Sequence, residues 1–145
     1  MITNLDDLVD VSQVVDAATI TSDTNGASVD LLGYEGVMFL ACVGESGDTL
    51  SGSVKIELEV EESDDDSTFD DAEDADLTSS VSGTNNGTFA VIDAAAEDDA
   101  VYTTSYRGDN TKKRYVRPVI NLTGTHTNGT PIGILAVRFG KKYKS

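Results

Sequence analysis

Apolar and polar residues alternate along most of the chain, which is the pattern of β-strands that have one buried face and one wet face. The clearest example is the segment 54–61, where every second residue from Val54 to Val60 is aliphatic and the residues between them are charged. The segment 37–43 is apolar throughout and bounded by glycines, which is typical of a strand covered on both faces. These patterns predict a protein built from sheets.

Further segments of this kind are separated by clusters of Gly, Asn, Asp and Ser, and no stretch sustains the helical period. Their number predicts an all-β fold, an antiparallel β-sandwich. A jelly roll is the preferred topology because its two closed sheets manage exposed strand edges. Strands are expected at 17–21, 29–32, 37–43, 54–61, 88–92, 100–106, 115–122 and 132–139.

The 145 residues are enough for one ordinary domain with a sizeable core. We expect an N-terminal arm or turn at 1–16, a sandwich domain at 17–140 and a basic C-terminal tail at 141–145. The core is predicted from apolar positions that alternate along the strands: Val37, Phe39, Ile56, Leu58, Val60, Val116, Val119, Ile120, Ile134 and Val137.

Charge is divided by position along the chain. Residues 1–105 carry 25 acids and one cation, Lys55, whereas residues 106–145 carry nine cations and one acid, Asp109. A basic block that begins at Arg107 predicts a positive edge facing an acidic partner, such as a second copy of the chain. The net charge of −16 opposes binding to nucleic acid or to anionic lipid.

Neither a signal peptide nor a membrane span is expected. The first 13 residues are acidic where a signal peptide needs basic and then apolar residues, and no run approaches the roughly 18 apolar residues of a span. The sequence therefore predicts a protein that is made and kept in the cytoplasm, or released by lysis.

Two loops are long for so small a sandwich, Glu61 to Ser82 and Asn121 to Pro131, and long loops often carry function. The first is rich in carboxylates that could bind a hard cation. However, Phe69 stands where an EF-hand needs its glycine, so a solvated acidic loop is the favoured interpretation. An aromatic ring among carboxylates usually anchors its loop on the core or on a partner.

Catalytic chemistry has few candidates. The only histidine, His126, falls in a turn-like stretch and is expected to be a solvated loop residue, while the only cysteine, Cys42, is expected in the core. No phosphate-binding loop and no Cys/His metal spacing is present in the sequence. We expect no enzyme and no cofactor.

Four segments in order, Thr21–Asp30, Leu32–Gly36, Glu61–Phe69 and Arg114–Val119, resemble small virion structural proteins of tailed bacteriophages. Proteins of this family bind to heads as cement, or decoration, proteins. The resemblance covers about residues 18–140 and implies a β-sandwich that clips over joints between copies of the major capsid protein. It also implies a position on the capsid exterior, synthesis in the host cytoplasm, no cofactor, and a dimer or trimer, of which the trimer is favoured.

The predicted interface consists of Phe69 in the acidic loop and the cations of the basic block. The lysine-rich C-terminal end departs from the family pattern. Arg114 or Arg117 could pair with a carboxylate of its own sandwich as readily as with one of another subunit. Two other functions stay open, a calcium-dependent carbohydrate- or receptor-binding module and a tail or head–tail connector protein. The predicted interface residues are Phe69, Arg107, Lys112, Lys113, Arg114, Arg117, Arg138, Lys141, Lys142 and Lys144.

Overall fold

The computed structural model describes residues 4–107 and 113–141, and within them the chain is all-β. Two single 3-10 turns, Leu5–Asp7 and Asp74–Asp76, are the helical segments of this part, and no helix in it is long and apolar enough to cross a membrane. The strands are β1 (Asp10–Ile20), β2 (Thr24–Asn25), β3 (Val29–Asp30), β4 (Gly36–Val43), β5 (Lys55–Ser63), β6 (Asp70–Asp71), β7 (Thr88–Ile92), β8 (Ala100–Arg107), β9 (Tyr115–Thr123) and β10 (Thr130–Phe139).

The strands form two antiparallel sheets. The first sheet has the order β1-β10-β4-β8, and the second has the order β2-β9-β5-β6, with β3 also paired to β9 and β7 also paired to β5. Early strands therefore pair with late ones in a nested way: β1 with β10, β2 and β3 with β9, β4 with β8, and β5 with β7. The prediction of an all-β antiparallel fold is confirmed.

The core lies between the two sheets and is filled by alternate residues of their strands. Val37 and Phe39 of β4 meet Ile56 and Leu58 of β5 in one buried cluster, and each is fully excluded from solvent. Burying an aliphatic or aromatic side chain of this size contributes about 1.5–3 kcal/mol. Tyr106 of β8 is also buried, and its hydroxyl donates a 2.6 Å hydrogen bond to a carboxylate of β5.

The predicted strands agree with the observed ones except at the N-terminal end and at the two-residue strands β2 and β6, which were not predicted. β1 begins at Asp10 and pairs with β10, so residues 10–16, which were expected in an arm, belong to the first sheet. Two irregularities in the register place the adjacent residues Val14 and Val15 both in the interior. A strand whose alternation is broken in this way does not show the period-two pattern in its sequence.

Nine of the ten predicted core residues are buried, and Val137 is not. Val137 pairs with Met38 on the outward face of the first sheet, where both side chains are half-buried. Cys42, also expected in the core, is exposed on the same face. The apolar run 37–43 is therefore covered by its own chain on one face only.

Leu58→Asp should unfold the domain, because Leu58 is fully buried between the sheets and an unpaired buried carboxylate costs several kcal/mol against a total stability of roughly 5–15 kcal/mol. Thermal melting followed by circular dichroism measures this. Leu32→Asp is the control, since the Leu32 side chain is 67% exposed and its replacement should leave the melt nearly unchanged. A folded Leu58→Asp with the parent melting temperature would contradict the register of β5.

Candidate interaction surface

Arg138 of β10 is the centre of a polar network at one end of the sandwich. Its guanidinium forms an ion pair with Asp10 of β1 and donates a 3.0 Å hydrogen bond to the main-chain carbonyl of Asp30 in β3. The guanidinium also lies 4.3 Å from the ring centroid of Tyr34, within the range of a cation–π contact. One arginine thus joins elements of both sheets.

Arg114 adds a second ion pair to this network. Its Nε donates a 2.9 Å hydrogen bond to Oδ1 of Asp30, and its Nη2 donates one of 2.9 Å to Oδ2. The guanidinium carbon lies 5.0 Å from the ring centroid of Tyr115. The bidentate hydrogen bonds from Arg114 hold the pKa of Asp30 below its usual value and raise the pKa of Arg114. The pair is partly exposed, so its contribution to stability is modest.

Arg117 of β9 joins the acidic loop to the second sheet. Its Nη2 is 2.6 Å from Oε2 of Glu61, the residue that pairs with it on the neighbouring strand β5. Its Nε donates a 2.7 Å hydrogen bond to the same oxygen. The ring of Phe69 stacks on the guanidinium, with 4.0 Å between the guanidinium carbon and the ring centroid. Phe69 therefore anchors the acidic loop on its own sheet, which is one of the two roles expected of it.

The remaining basic residues divide into paired and exposed ones. Lys113 forms an ion pair with Asp64, and the hydrogen bond to that carboxylate raises the pKa of Lys113. Arg107 and Lys141 are exposed at strand ends, whereas Lys112, Lys142 and Lys144 lie outside the described residues. Four of the predicted interface cations, Lys113, Arg114, Arg117 and Arg138, thus pair with carboxylates of their own chain.

The acidic loop is ordered by its own side chains. The Asp65 carboxylate accepts main-chain hydrogen bonds from Thr68 at 2.8 Å and Ser67 at 3.0 Å, and these bonds, the one from Thr68 most of all, lower the pKa of Asp65. Further along, the loop pairs with the edge of β8 through hydrogen bonds of Thr78 and Ser79. Within residues 4–107 and 113–141, no group of three or more His, Cys, Asp or Glu side chains could hold a metal ion.

The only histidine is buried, contrary to the expectation of a solvated loop residue. His126 Nε2 lies 3.0 Å from the carbonyl oxygen of Thr123, so this nitrogen carries a proton and donates it. His126 Nδ1 has no hydrogen-bond partner in the described part of the chain and lies 3.9 Å from Asp48 Oδ2. The Asp48 carboxylate accepts hydrogen bonds from the main-chain N–H groups of Asn128 and Gly129. These bonds lower the pKa of Asp48 and connect two loops that are distant in sequence.

Glu59 of β5 is a carboxyl group that the second sheet buries, with 3% of the residue exposed. Thr88 Oγ1 donates a 3.3 Å hydrogen bond to its Oε1. Burial raises the pKa of Glu59, and the nearby Asp71 carboxylate adds to this effect, while a hydrogen bond from Asn121 opposes it. The site favours the neutral carboxylic acid more than water does.

The outward side chains of β4, β8 and β10 form a surface that the sequence did not predict. We call it the apolar face, and it consists of Met38, Leu40, Cys42, Val101, Leu135 and Val137. Val101 is 60% exposed and Leu135 is 36% exposed. The signal for this surface was the apolar run 37–43 itself, which is typical of a strand with cover on both sides.

Comparison of the chain with protein-family models gives no match, and a search of curated proteins finds no similar sequence.

Arg138→Gln should lower the free energy of unfolding by about 1 kcal/mol or slightly more, because it removes charge-assisted hydrogen bonds to Asp10 and to the Asp30 carbonyl. Urea denaturation measures the change. Lys141→Gln, which removes an exposed positive charge just after β10, is the control and should have little effect. Equal midpoints for the two variants would show that the network contributes nothing measurable.

Glu59→Gln should raise the melting temperature at neutral pH and leave it nearly unchanged at pH 4. The pKa of Glu59 in the folded protein lies above its unfolded value of roughly 4.3, so ionisation costs stability at higher pH, and this cost is relieved as the pH falls through the folded-state pKa. Melting curves over this pH range test the sign. Glu35→Gln at an exposed position should show no such gain, and a gain shared by both variants would assign the effect to net charge instead.

Proposed function

We propose that this protein is a non-enzymatic virion structural protein that binds the outside of a phage capsid as an oligomeric cement, or decoration, module and stabilises the head. The observation that carries the proposal is the apolar face. A chain with a net charge of −16 exposes an uncharged, apolar sheet surface, and such surfaces mark contacts between proteins. The placement on a capsid comes from the resemblance of the sequence segments to cement proteins.

We also propose that the sandwich is a jelly roll, and the strand pairing supports this topology. When the short strands β2 and β3 are taken together, each early strand pairs with its late counterpart, as in one long hairpin rolled into two sheets. Such a roll leaves few free edges, and the acidic loop covers part of the β8 edge through hydrogen bonds of Thr78 and Ser79. A protein that binds shell subunits at high local concentration benefits from having few free strand edges, because free edges can pair with strands of other molecules.

A cement protein strengthens a shell through many repeated contacts rather than through one strong contact. The proposed partner on the particle is the major capsid protein, and the proposed contact is made by members of the basic block other than the four that pair within the chain. Arg107 and Lys141 are its exposed described members. The net negative charge argues against nucleic acid and membrane partners, and the proposed location is the capsid exterior after synthesis in the host cytoplasm.

A binding experiment on phage heads that lack the protein tests this function. The parent protein should bind at a saturating number of copies that the shell symmetry fixes, and occupied heads should withstand higher temperature than bare heads. Replacing Lys141, Lys142 and Lys144 by Glu should weaken attachment at low salt, because charge reversal opposes an acidic shell surface. Lys55→Glu, a reversal at a lysine outside the basic block, should bind like the parent.

Other results would redirect the assignment. Binding confined to tails or to the head–tail joint would replace the cement role with a connector role. Binding to glycans that requires calcium and is abolished by a chelator, with no binding to heads, would favour a calcium-dependent recognition module.

A further inference from the structure

The apolar run 37–43 has the composition of a strand covered on two sides, but the chain covers only one. The inward residues Val37, Phe39 and Ala41 are fully buried against the second sheet. The outward residues Met38 and Leu40 are half-buried, and Cys42 is exposed. A second layer of protein on the outward side would complete the burial that the sequence pattern implies.

Charge limits what that second layer is. The outward positions of β4, β8 and β10 between the strand ends carry Thr103, Ser105 and Gly133 besides the apolar face, and none of them is ionised. The edge strand β1 of the same sheet carries one exposed carboxylate in its middle, Asp16. The rest of this acidic chain would repel a copy of itself, because like charges facing each other across an interface are unfavourable. Two copies can therefore approach most closely when their apolar faces meet.

The outer surface of the first sheet, which is the apolar face together with β1 at its edge, has the extent that a small dimer needs. Four strands about 4.8 Å apart, each running for about eight residues at roughly 3.3 Å, measure roughly 19 Å by 26 Å. Two such faces in contact would bury on the order of 1,000 Å² in total, which is where biological interfaces begin. The contact would be that of two aligned sheets about 10 Å apart, like the one inside the sandwich.

The charged ends of the face match under one two-fold axis. β8 has the exposed Arg107 at one end and the exposed Asp99 immediately before its other end. Consider a two-fold axis that lies in the plane of the interface, perpendicular to the strands and level with Thr103. This axis places β8 of one copy against β8 of the other, with the two strands running in opposite directions. Arg107 of each copy is then opposite Asp99 of the other, so this pair of opposite charges is formed twice about the axis.

The same axis also places the exposed Val11 side chain of one copy opposite a shallow hollow on the other. A shallow hollow of about 450 Å³ lies where β10 meets β1 and β4, lined by small residues that include Ala17, Gly44 and Gly133. Val11, 55% exposed on β1, is level with Met38 across β10, whereas Gly133 is level with Cys42. Because the axis exchanges these two levels, the Val11 side chain of each copy is directed at the hollow of the other.

We propose that two copies of this chain pair through their apolar faces about this two-fold axis. The inference deepens the proposed function and rests on it only in treating the face as an assembly surface. It also favours a dimer over the trimer that the sequence resemblance suggested, because a self-complementary face joins copies in pairs.

Sedimentation velocity of the full chain over a wide concentration range tests the pairing. The parent should sediment as a species of twice the 15.3 kDa chain mass. Leu135→Glu should weaken the dimer by about a hundredfold or more, since each dimer would bury two unpaired carboxylates. Leu32→Glu places the same charge at an exposed leucine outside the face and should remain dimeric. Circular dichroism confirms that both variants are folded.

A second measurement needs no mutation, because Cys42 is the only cysteine and lies on the apolar face. Its reaction with a thiol reagent should slow as the dimer forms, and modification with a bulky maleimide should yield monomers. Arg107→Glu should also weaken the dimer at low salt by placing Glu opposite Asp99. A parent dimer that Arg107→Glu leaves unchanged would overturn the axis and with it the proposal.

The outcomes separate this inference from the proposed function. A monomeric parent at all concentrations, or a Leu135→Glu variant with the parent dimer constant, would overturn the pairing whatever the protein does on heads. If the parent is monomeric and Leu135→Glu loses binding to heads, the face contacts the capsid protein instead of a second copy. If the dimer forms but does not bind heads, the pairing stands and the cement function falls.

Discussion

Each sheet of the sandwich buries one face against the other, and this contact layer holds the two sheets in position. The layer is largely apolar, and Tyr106 crosses it to donate its hydroxyl to Glu62. With a single cysteine in the sequence, no disulfide within the chain can support the layer, so its stability depends on close packing and on the loops that close its ends. The ion pairs and loop contacts of the molecule act at the margins of this core.

The nested strand order brings the acidic and basic parts of the sequence together. Because late strands pair with early ones, a basic segment near the end of the chain lies beside acidic segments near its start. Arg138 reaches Asp10 across 128 positions, and Arg114 reaches Asp30 across 84 positions. Four cations of the basic block, Lys113, Arg114, Arg117 and Arg138, are therefore paired with acids inside one molecule.

Most of the strands could be predicted from sequence, because period-two alternation reports a sheet directly wherever the register is regular. The pattern could not show how many layers cover an apolar strand, so Cys42 and Val137 were assigned to the core although both lie on the outward face. His126 was missed for another reason. It is buried beside Asp48, which is far away in sequence, and no local pattern reports a contact of that kind.

The position of β10 has a consequence for how the molecule is made. β10 is the last strand of the sandwich along the chain, yet it lies inside the first sheet, between β1 and β4. During synthesis, β1 and β4 therefore have no partner between them, and the apolar run of β4 has an unpaired edge until β10 leaves the ribosome. Folding that waits for such distant contacts is slow and leaves strand edges open to aggregation. The arrival of β10 is thus the step that ends the vulnerable period of the nascent chain.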